Sequence, residues 1–277
     1  MTVLVAGCGY VGRAIVQRLV AAREPVIAVR RSPEPLEGAM TLALDLTDAE
    51  ATREALVPRG IDRMIYLVSP DERSDEAYRR AYVDGLGNAI AALPLLRDAV
   101  LVSSTGVYDD VDDGQRVDEE TFTRGTAFTA RRLLEGEALL AQRVARPRIL
   151  RLGGIYGPER TRLVRSVLDG TARRSPVERF GNRIHRDDAA RAAIHLLTAP
   201  AGVYVGVDED QAPLGEVYEW MAARAGVAPP PLEPDGGSRR GGNKRCDGSR
   251  LRRTGFHFDH PSYRDGYAPI VDALAAG

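Results

Sequence analysis

The stretch Val3-Leu4-Val5-Ala6-Gly7-Cys8-Gly9-Tyr10-Val11-Gly12 decides the fold of this chain. Its first four residues predict a short buried strand, and the apolar spacing after residue 10 predicts a helix. The pattern Gly-x-Gly-x-x-Gly between a strand and a helix is typical of dinucleotide binding. Gly7 permits the tight turn, Gly9 lets a pyrophosphate approach the backbone, and Gly12 lets helix and strand pack closely. We expect the loop, including Tyr10 and Val11, to present helix N–H groups to the phosphates.

The rest of the first half alternates short apolar strands with helical segments. Strands are predicted at residues 25–29, 41–44, 63–68, 99–102 and 148–152, and helices at 48–57, 74–96 and 126–144. Such alternation is typical of a parallel sheet covered on both faces. The sequence therefore predicts an α/β fold, a doubly wound Rossmann sheet, over residues 1–155. Residues 156–277 are expected to be mostly a smaller C-terminal cap region for substrate, with some elements packing back on the core. Strands at 177–180 and 203–207 and helices at 188–198, 214–225 and 265–275 are predicted there.

Composition excludes several classes of function. The 277 residues carry 38 basic and 39 acidic side chains, so no net charge attracts nucleic acid or an anionic membrane. No apolar run approaches the ~20 residues of a membrane span. The N-terminus enters a strand directly, which predicts a cytoplasmic protein without a signal peptide. Two cysteines are too few for a disulfide framework or a four-cysteine metal site, and no metal is expected. The sequence leaves the oligomeric state open.

The end of the second predicted strand indicates which dinucleotide is bound. An NAD site usually has an acidic residue there, whereas this chain has Arg30 and Arg31. Two guanidinium groups suit a 2′-phosphate, so NADP(H) is predicted, with NAD(H) possible and a solvated arginine pair as the alternative. We expect further cofactor contacts from the residues that follow the third and fourth strands. These are Asp45, Leu46, Leu67, Val68 and Ser69.

Several motifs resemble those of one enzyme family. They are the glycine loop, Asp45-Leu46, Val102-Ser103-Ser104-Thr105-Gly106-Val107-Tyr108, Arg151-Leu152-Gly153-Gly154-Ile155-Tyr156-Gly157-Pro158 and Arg183-Ile184-His185-Arg186-Asp187-Asp188. Together they resemble an extended, atypical short-chain dehydrogenase/reductase of the NAD-dependent epimerase/dehydratase family. The resemblance spans nearly the whole chain and implies that Ser104 holds the reacting oxygen. The alternative is a strand-end serine that makes a local turn bond. It also implies that Tyr156 lies beside the nicotinamide and that His185 and Asp188 are structural.

The family's Tyr-x-x-x-Lys pair is missing. Register on Glu137 places Thr129 and Leu133 at those two positions, and a shift of one residue places Phe128 and Arg132 there. Lys244 is the only lysine of the chain. Thr129, Arg131 or Arg132 are therefore the candidates to replace the lost groups.

Two hypotheses about function follow. One is an NADP(H)-dependent oxidoreductase of the epimerase/dehydratase type with an altered acid/base, acting on a small, anionic or sugar-like substrate. The other is a sensor or regulator that keeps the dinucleotide site and has lost catalysis. A sugar-nucleotide dehydratase is weaker, because Thr105-Gly106 supplies no carboxylate beside the serine.

A proline- and glycine-rich segment at residues 229–242 is expected to be a mobile loop. It is either a lid, whose Arg239 and Arg240 would meet an anionic substrate group, or a solvated connector.

Overall fold

The computed structural model describes residues 2–32, 34–111, 113–233 and 242–276. The strands, in chain order, are β1 (Val3–Ala6), β2 (Val26–Arg30), β3 (Met40–Ala43), β4 (Arg63–Tyr66), β5 (Asp98–Ser104), β6 (Gln115–Val117), β7 (Arg146–Leu152), β8 (Gly154–Tyr156), β9 (Arg183–His185), β10 (Gly202–Gly206) and β11 (Lys244–Cys246). The helices are α1 (Tyr10–Ala21), α2 (Ala49–Leu56), α3 (Asp75–Arg79), α4 (Gly85–Ala91), α5 (Phe128–Arg143), α6 (Arg162–Leu168), α7 (Arg186–Leu196), α8 (Leu214–Ala225), α9 (Ser249–Arg253) and α10 (Tyr263–Ala275). None of the described helices is long and apolar enough to cross a membrane.

A seven-stranded parallel sheet forms the centre of the molecule, in the order β10-β7-β5-β4-β1-β2-β3. The chain builds β1, β2 and β3 outward in one direction and then restarts with β4 on the other side of β1. This reversal creates a crevice at the carboxyl ends of β1 and β4, where ligands bind in open α/β sheets. The predicted doubly wound Rossmann fold is therefore confirmed. Two small parallel pairs, β6 with β11 and β8 with β9, lie outside this sheet.

Helices cover both faces of the sheet, and alternate residues of β1 point to opposite faces. Val3 and Val5 pack in the layer that contains the apolar residues of α1 and α7. Leu4 and Ala6 pack in the layer that contains residues of α2, α4 and α5. Burial on both faces explains why the strands are almost continuously apolar in sequence.

The second half of the chain contributes to two different layers. Its strand β10 forms the edge of the central sheet beside β7, and α7 packs against α1. The helices α6, α8 and α10 instead pack on one another around a separate apolar cluster. The predicted strand at 177–180 is wrong, since only Phe180 pairs there, in an isolated antiparallel bridge with Pro213. Among the described residues, no strand lies beside this segment with which to extend the pairing.

The helix predicted at 74–96 is interrupted by a π-helical segment, Arg80–Asp84, between α3 and α4. The hydroxyl of the buried Tyr66 donates to the carbonyl oxygen of Ala81 at 2.6 Å. The N–H of Gly85 bonds instead to the carbonyl of Arg80. A Cβ at position 85 would lie 2.8 Å from the Tyr66 hydroxyl oxygen, so glycine fits this contact. The interruption places Arg80 and Ala81 on the wall of the crevice.

Candidate cofactor and active site

The three glycines of the first loop have three different surroundings. Gly7 has φ +102°, and a Cβ there would lie 2.6 Å from the carbonyl oxygen of Leu67. A Cβ at Gly12 would lie 2.2 Å from the carbonyl oxygen of Gly7, so α1 can approach β1 only with glycine at this position. A Cβ at Gly9 would meet nothing within 4 Å. The backbone at Gly9 is therefore open to a ligand, whereas Gly7 and Gly12 are closed by the protein itself.

A cavity of about 830 Å³ lies in front of this loop. The ends of β1, β2 and β4 and the loop after β3 form its walls. The predicted cofactor residues that line it are Gly7, Gly9, Arg30, Arg31, Asp45, Leu46, Leu67, Val68 and Ser69. The predicted residues Tyr10, Val11, Gly12 and Tyr156 are not part of this lining. Gly12 lies behind the loop, and Val11 is buried in the core.

The start of α1 offers backbone donors toward the cavity. Its N-cap is Gly9, which provides no side-chain cap, and its first turn contains no acidic residue. The positive end of a helix dipole therefore faces the cavity without a competing carboxylate from the helix itself. The Tyr10 hydroxyl donates to the carbonyl oxygen of Pro158. The Arg160 guanidinium carbon lies over the Tyr10 ring, 4.4 Å from its centroid.

The two arginines at the end of β2 both have acidic partners. Arg30 Nη1 lies 3.0 Å from a carboxylate oxygen of Glu34 and is only 13% exposed. Arg31 is more open, with 59% of its side chain exposed, and it forms a two-point ion pair with Asp71. The hydrogen bond from Arg31 lowers the pKa of the Asp71 carboxyl. Both arginines thus stand at the cavity with their charges already paired.

Asp45 is held in a turn beside the cavity. One carboxylate oxygen accepts from the backbone N–H of Thr47 at 2.9 Å and from its hydroxyl at 2.7 Å. Burial alone would raise the pKa of Asp45, but these two bonds lower it below its usual value. The carboxylate is therefore ionised at neutral pH.

Ser104 ends β5, beside Leu152 and Gly206 at the same edge of the sheet. Its hydroxyl oxygen accepts from the N–H of Gly106 at 3.0 Å and so caps a short 3-10 turn, Thr105–Val107. The local turn bond considered as the alternative for this serine is therefore present. It engages a lone pair of the hydroxyl oxygen, and the hydroxyl hydrogen remains able to donate elsewhere.

The predicted replacements for the Tyr-Lys pair lie in the first turns of α5. Thr129 is half-buried and Arg131 is exposed. Arg132 binds both carboxylate oxygens of Asp75, at 2.9 and 2.8 Å, and also Glu135. The structure therefore ties Arg132 to α3. Leu133, which the register on Glu137 would align with the family's lysine, is buried with Val107 and Tyr108.

Tyr156 is buried in the cluster of the helices α6, α8 and α10. Its ring stacks on Tyr267 at a centroid distance of 4.3 Å and meets His185 edge-on. Burial raises the pKa of its phenol. The structure thus places Tyr156 against the C-terminal helix, and the cavity at the glycine loop lies elsewhere.

A buried ionic network behind Ser104 was missed by sequence reasoning. The Arg151 guanidinium binds Glu137 at 2.7 Å and donates to the Tyr108 hydroxyl at 2.9 Å, and Ser103 donates to Glu137 at 2.6 Å. From the sequence, Glu137 serves only to align α5 with the family's tyrosine position. An acidic residue on the buried face of α5 was the available signal, because such a charge requires a partner. The network fixes β5, β7 and α5 relative to one another.

The only lysine is buried near the same turn. Lys244 Nζ donates to the carbonyl oxygen of Tyr108 at 2.8 Å, because β11 pairs with β6 and brings residue 244 back to the loop after β5. Lys244 does not lie on the helix after Ser104, and the sequence predicts this. Its bond to Tyr108 nevertheless supports the turn that follows Ser104. Pairing between strands about 130 residues apart leaves no local sequence signal.

His185, Asp188 and His260 form a compact group whose ligand atoms lie within 4.8 Å of one another. The Asp188 oxygens accept from the N–H groups of Asp259 and His260 and from Arg191. Burial lowers the pKa of His185 to about 4, so its imidazole is neutral at physiological pH. These bonds join α7 to the segment before α10, in line with the structural role that the resemblance implies for His185 and Asp188.

The segment at 229–242 lies largely outside the described residues, and Arg239 and Arg240 fall there.

Comparison with known proteins places these features in a family. The model of the NAD dependent epimerase/dehydratase family matches residues 3–206. No curated protein gives a significant match. A solved structure from Methylobacillus flagellatus, described as an NAD-dependent epimerase/dehydratase, is 32% identical, with a TM-score of 0.82 over 99% of this chain and 98% of its own.

Two more distant structures share the fold. MoeE5 in complex with UDP-glucose and NAD is 22% identical, with a TM-score of 0.81 over 100% of this chain and 99% of its own. Human epimerase family protein SDR39U1 with NADPH is 20% identical, with a TM-score of 0.78 over 98% of this chain and 99% of its own. The match of the family model over most of the chain, together with the glycine loop and the sheet order, shows that this chain belongs to the NAD dependent epimerase/dehydratase family.

Proposed function

We propose that this protein is an NADP(H)-binding oxidoreductase of the epimerase/dehydratase type that works without a Tyr-x-x-x-Lys pair. The observation that carries the proposal is the glycine loop. Gly7 and Gly12 leave no space for a side chain, whereas Gly9 is open toward a cavity of about 830 Å³. An opening in front of a helix N-terminus fits a pyrophosphate.

The residues around the cavity suit the rest of a nicotinamide dinucleotide. Asp45 and the buried Leu46 would hold the adenine end, and Arg30 and Arg31 would hold a 2′-phosphate. The segment Leu67 to Ser69 would lie along the cofactor. Solved relatives with NAD and with NADPH support a nicotinamide cofactor, and the arginines are our reason for preferring NADP(H). When bound, such a cofactor supplies hydride transfer.

The substrate oxygen is assigned to Ser104, whose hydroxyl lies at the carboxyl edge of the sheet. Thr129 and Arg131 at the start of α5 would provide a hydrogen bond and a positive charge beside it. Arg132 is tied to Asp75 and would act through position rather than by proton transfer. An arginine stays protonated, so the proton must come from water or from the substrate itself. MoeE5 with UDP-glucose supports a small, sugar-like or anionic substrate. We further propose a cytoplasmic location.

A second candidate function is a dinucleotide-dependent sensor without catalysis. The observation that favours it is the burial of Leu133 against Val107 and Tyr108. In the register on Glu137, this buried leucine would stand where the family has its lysine. In this case dinucleotide binding would change the protein's interactions and no substrate would turn over.

A substrate screen separates the two functions. Purified protein with NADPH is offered sugar nucleotides, small ketones and aldehydes, and loss of the reduced nicotinamide absorbance is followed. For an enzyme, Ser104→Ala lowers turnover at least about tenfold with unchanged NADPH affinity, and Ser104→Thr retains part of the rate. Because Ser104→Ala also removes the cap of the turn after β5, its melting temperature should fall by a few degrees. Tight NADPH binding with no turnover of any compound favours the sensor, and absence of dinucleotide binding contradicts both functions.

A further inference from the structure

Four charged side chains that line the cavity form two ion pairs, and we call them the rim network: Arg31, Asp45, Asp71 and Arg80. Both terminal nitrogens of Arg31 donate to both carboxylate oxygens of Asp71. Arg80 lies 3.6 Å from the Asp45 carboxylate and donates to the Thr47 hydroxyl at 3.1 Å. The rim network therefore consists of partners that already satisfy one another.

The Arg31–Asp71 pair crosses the cavity rather than following one wall. Arg31 comes directly after β2, and Asp71 lies in the loop after β4. These strands lie on the two sides of β1, so their ends are separated by about twice the strand spacing, roughly 10 Å. The pair thus bridges the two sides of β1 at its carboxyl end, in the cavity that Gly9 also lines.

The cavity has no excess of positive charge. Its lining contains three arginines, Arg30, Arg31 and Arg80, and four carboxylates, Asp45, Asp71, Glu72 and Glu76. Arg30 is paired as well, with Glu34 at 3.0 Å. A phosphate that enters the cavity therefore meets guanidinium groups whose charge is already neutralised by neighbouring carboxylates.

We propose that Asp71 is a specificity-determining residue that competes with a ligand's 2′-phosphate for Arg31. This inference rests on the proposed function. The Arg31 and Asp71 side chains are 59% and 63% exposed, and exposed ion pairs are weak. A phosphate carries more charge than a carboxylate and has three acceptor oxygens, so it can displace Asp71. A 2′-hydroxyl offers no comparable replacement, so the pair stays closed.

This competition predicts a direction for cofactor preference. Asp71 lowers the affinity for a 2′-phosphorylated dinucleotide and leaves the affinity for the unphosphorylated one nearly unchanged. The preference for NADPH over NADH is therefore smaller than two adjacent arginines alone would give. Removing the negative charge of Asp71, with the side chain kept the same size, widens that preference.

The test is titration of the full chain with NADPH and NADH, and with adenosine 2′,5′-bisphosphate and ADP to isolate the adenosine end. Asp71→Asn is compared with Glu72→Gln, which removes the same charge from the adjacent residue. Glu72 accepts from Ser74, at 2.8 Å, rather than from Arg31. We expect Asp71→Asn to bind NADPH and the bisphosphate roughly two- to fivefold tighter, with NADH and ADP changed less than about twofold. Glu72→Gln changes all four ligands less than about twofold.

A second comparison ties the effect to Arg31. In an Arg31→Ala background, Asp71→Asn should no longer change NADPH affinity, because the competing pair is already gone. Equal gains from Asp71→Asn and Glu72→Gln would show a general charge effect and overturn the proposal. Unchanged NADPH binding by Asp71→Asn would overturn the proposal too. Weaker NADPH binding would overturn it by showing that Asp71 orients Arg31 for the phosphate. These results require a bound dinucleotide, whereas failure of every variant and the wild type to bind one overturns the proposed function and this inference together.

Discussion

Gly9→Ala and Gly12→Ala should separate dinucleotide binding from folding within one loop. A methyl group at Gly12 would lie 2.2 Å from the Gly7 carbonyl oxygen, so α1 would have to move away from β1. Overpacking of a core typically costs about 1–3 kcal/mol, and here the obstacle is backbone, so we expect the upper end. For a domain of this size the melting temperature should fall by at least roughly 5 °C.

Gly9→Ala should have the opposite profile. Gly9 has φ −81°, and its added methyl would meet no protein atom within 4 Å, so the unfolding free energy should change by less than about 1 kcal/mol. The methyl would occupy the space through which a pyrophosphate approaches, and NADPH affinity should fall at least about tenfold. Thermal unfolding and fluorescence titration measure the two effects. Unchanged NADPH affinity in Gly9→Ala, or a Gly12→Ala protein as stable as the wild type, would refute this reading of the loop.

Three further predictions concern buried charges and phenols. Glu137→Gln leaves the buried Arg151 without its anion, so the unfolding free energy from denaturant titrations should fall by about 3 kcal/mol. Glu135 is more exposed, and Glu135→Gln should lower the unfolding free energy by less than about 1 kcal/mol. Burial raises the pKa of the Asp208 carboxyl to about 8, so its contribution to stability is present at low pH and is lost as pH rises from about 4 to about 8. Asp208→Asn should therefore melt higher than the wild type at pH 8 and lose this advantage toward pH 5, and a pH-independent difference would contradict the assignment. Burial raises the pKa of Tyr108 to about 12 and also raises the pKa of Tyr82 and Tyr156. The pH profile of kcat/KM should therefore show no titration of a phenol between roughly pH 6 and 10. A basic limb of that profile that disappears in Tyr108→Phe or Tyr156→Phe would overturn this view.

The sequence predicts the central sheet because its signals are local. Short apolar strands, helical spacing and the glycine loop each occupy a few consecutive residues, and their order implies the parallel sheet. The residues that line the cavity follow from the same logic, since Arg30, Asp45 and Leu67 all lie at or within two residues of the end of a strand. The residues at the carboxyl edge of the sheet can thus be predicted from the positions of the strands alone.

The remaining features depend on contacts between distant residues. Lys244 reaches the turn after Ser104 only because β11 pairs with β6, and neither strand is longer than three residues. The π-helical segment Arg80–Asp84 depends on a hydroxyl from Tyr66 on another element. Arg31 pairs with Asp71 because the fold brings the end of β2 close to the loop after β4. No local sequence pattern indicates that these two residues meet. Electrostatic balance at the cavity could therefore not be predicted from the basic side chains alone.

The central claim is that the cavity at the glycine loop binds a nicotinamide dinucleotide and prefers the 2′-phosphorylated form. Calorimetric titration of the purified protein with NADPH and with NADH tests it most directly, with the double variant Arg30→Ala/Arg31→Ala as the comparison. Because one charge-assisted phosphate contact contributes about 1.5–3 kcal/mol, we predict NADPH binding roughly tenfold or more tighter than NADH, and loss of that difference in the double variant. Equal affinities for the two dinucleotides, or undiminished NADPH binding by the double variant, would contradict the claim.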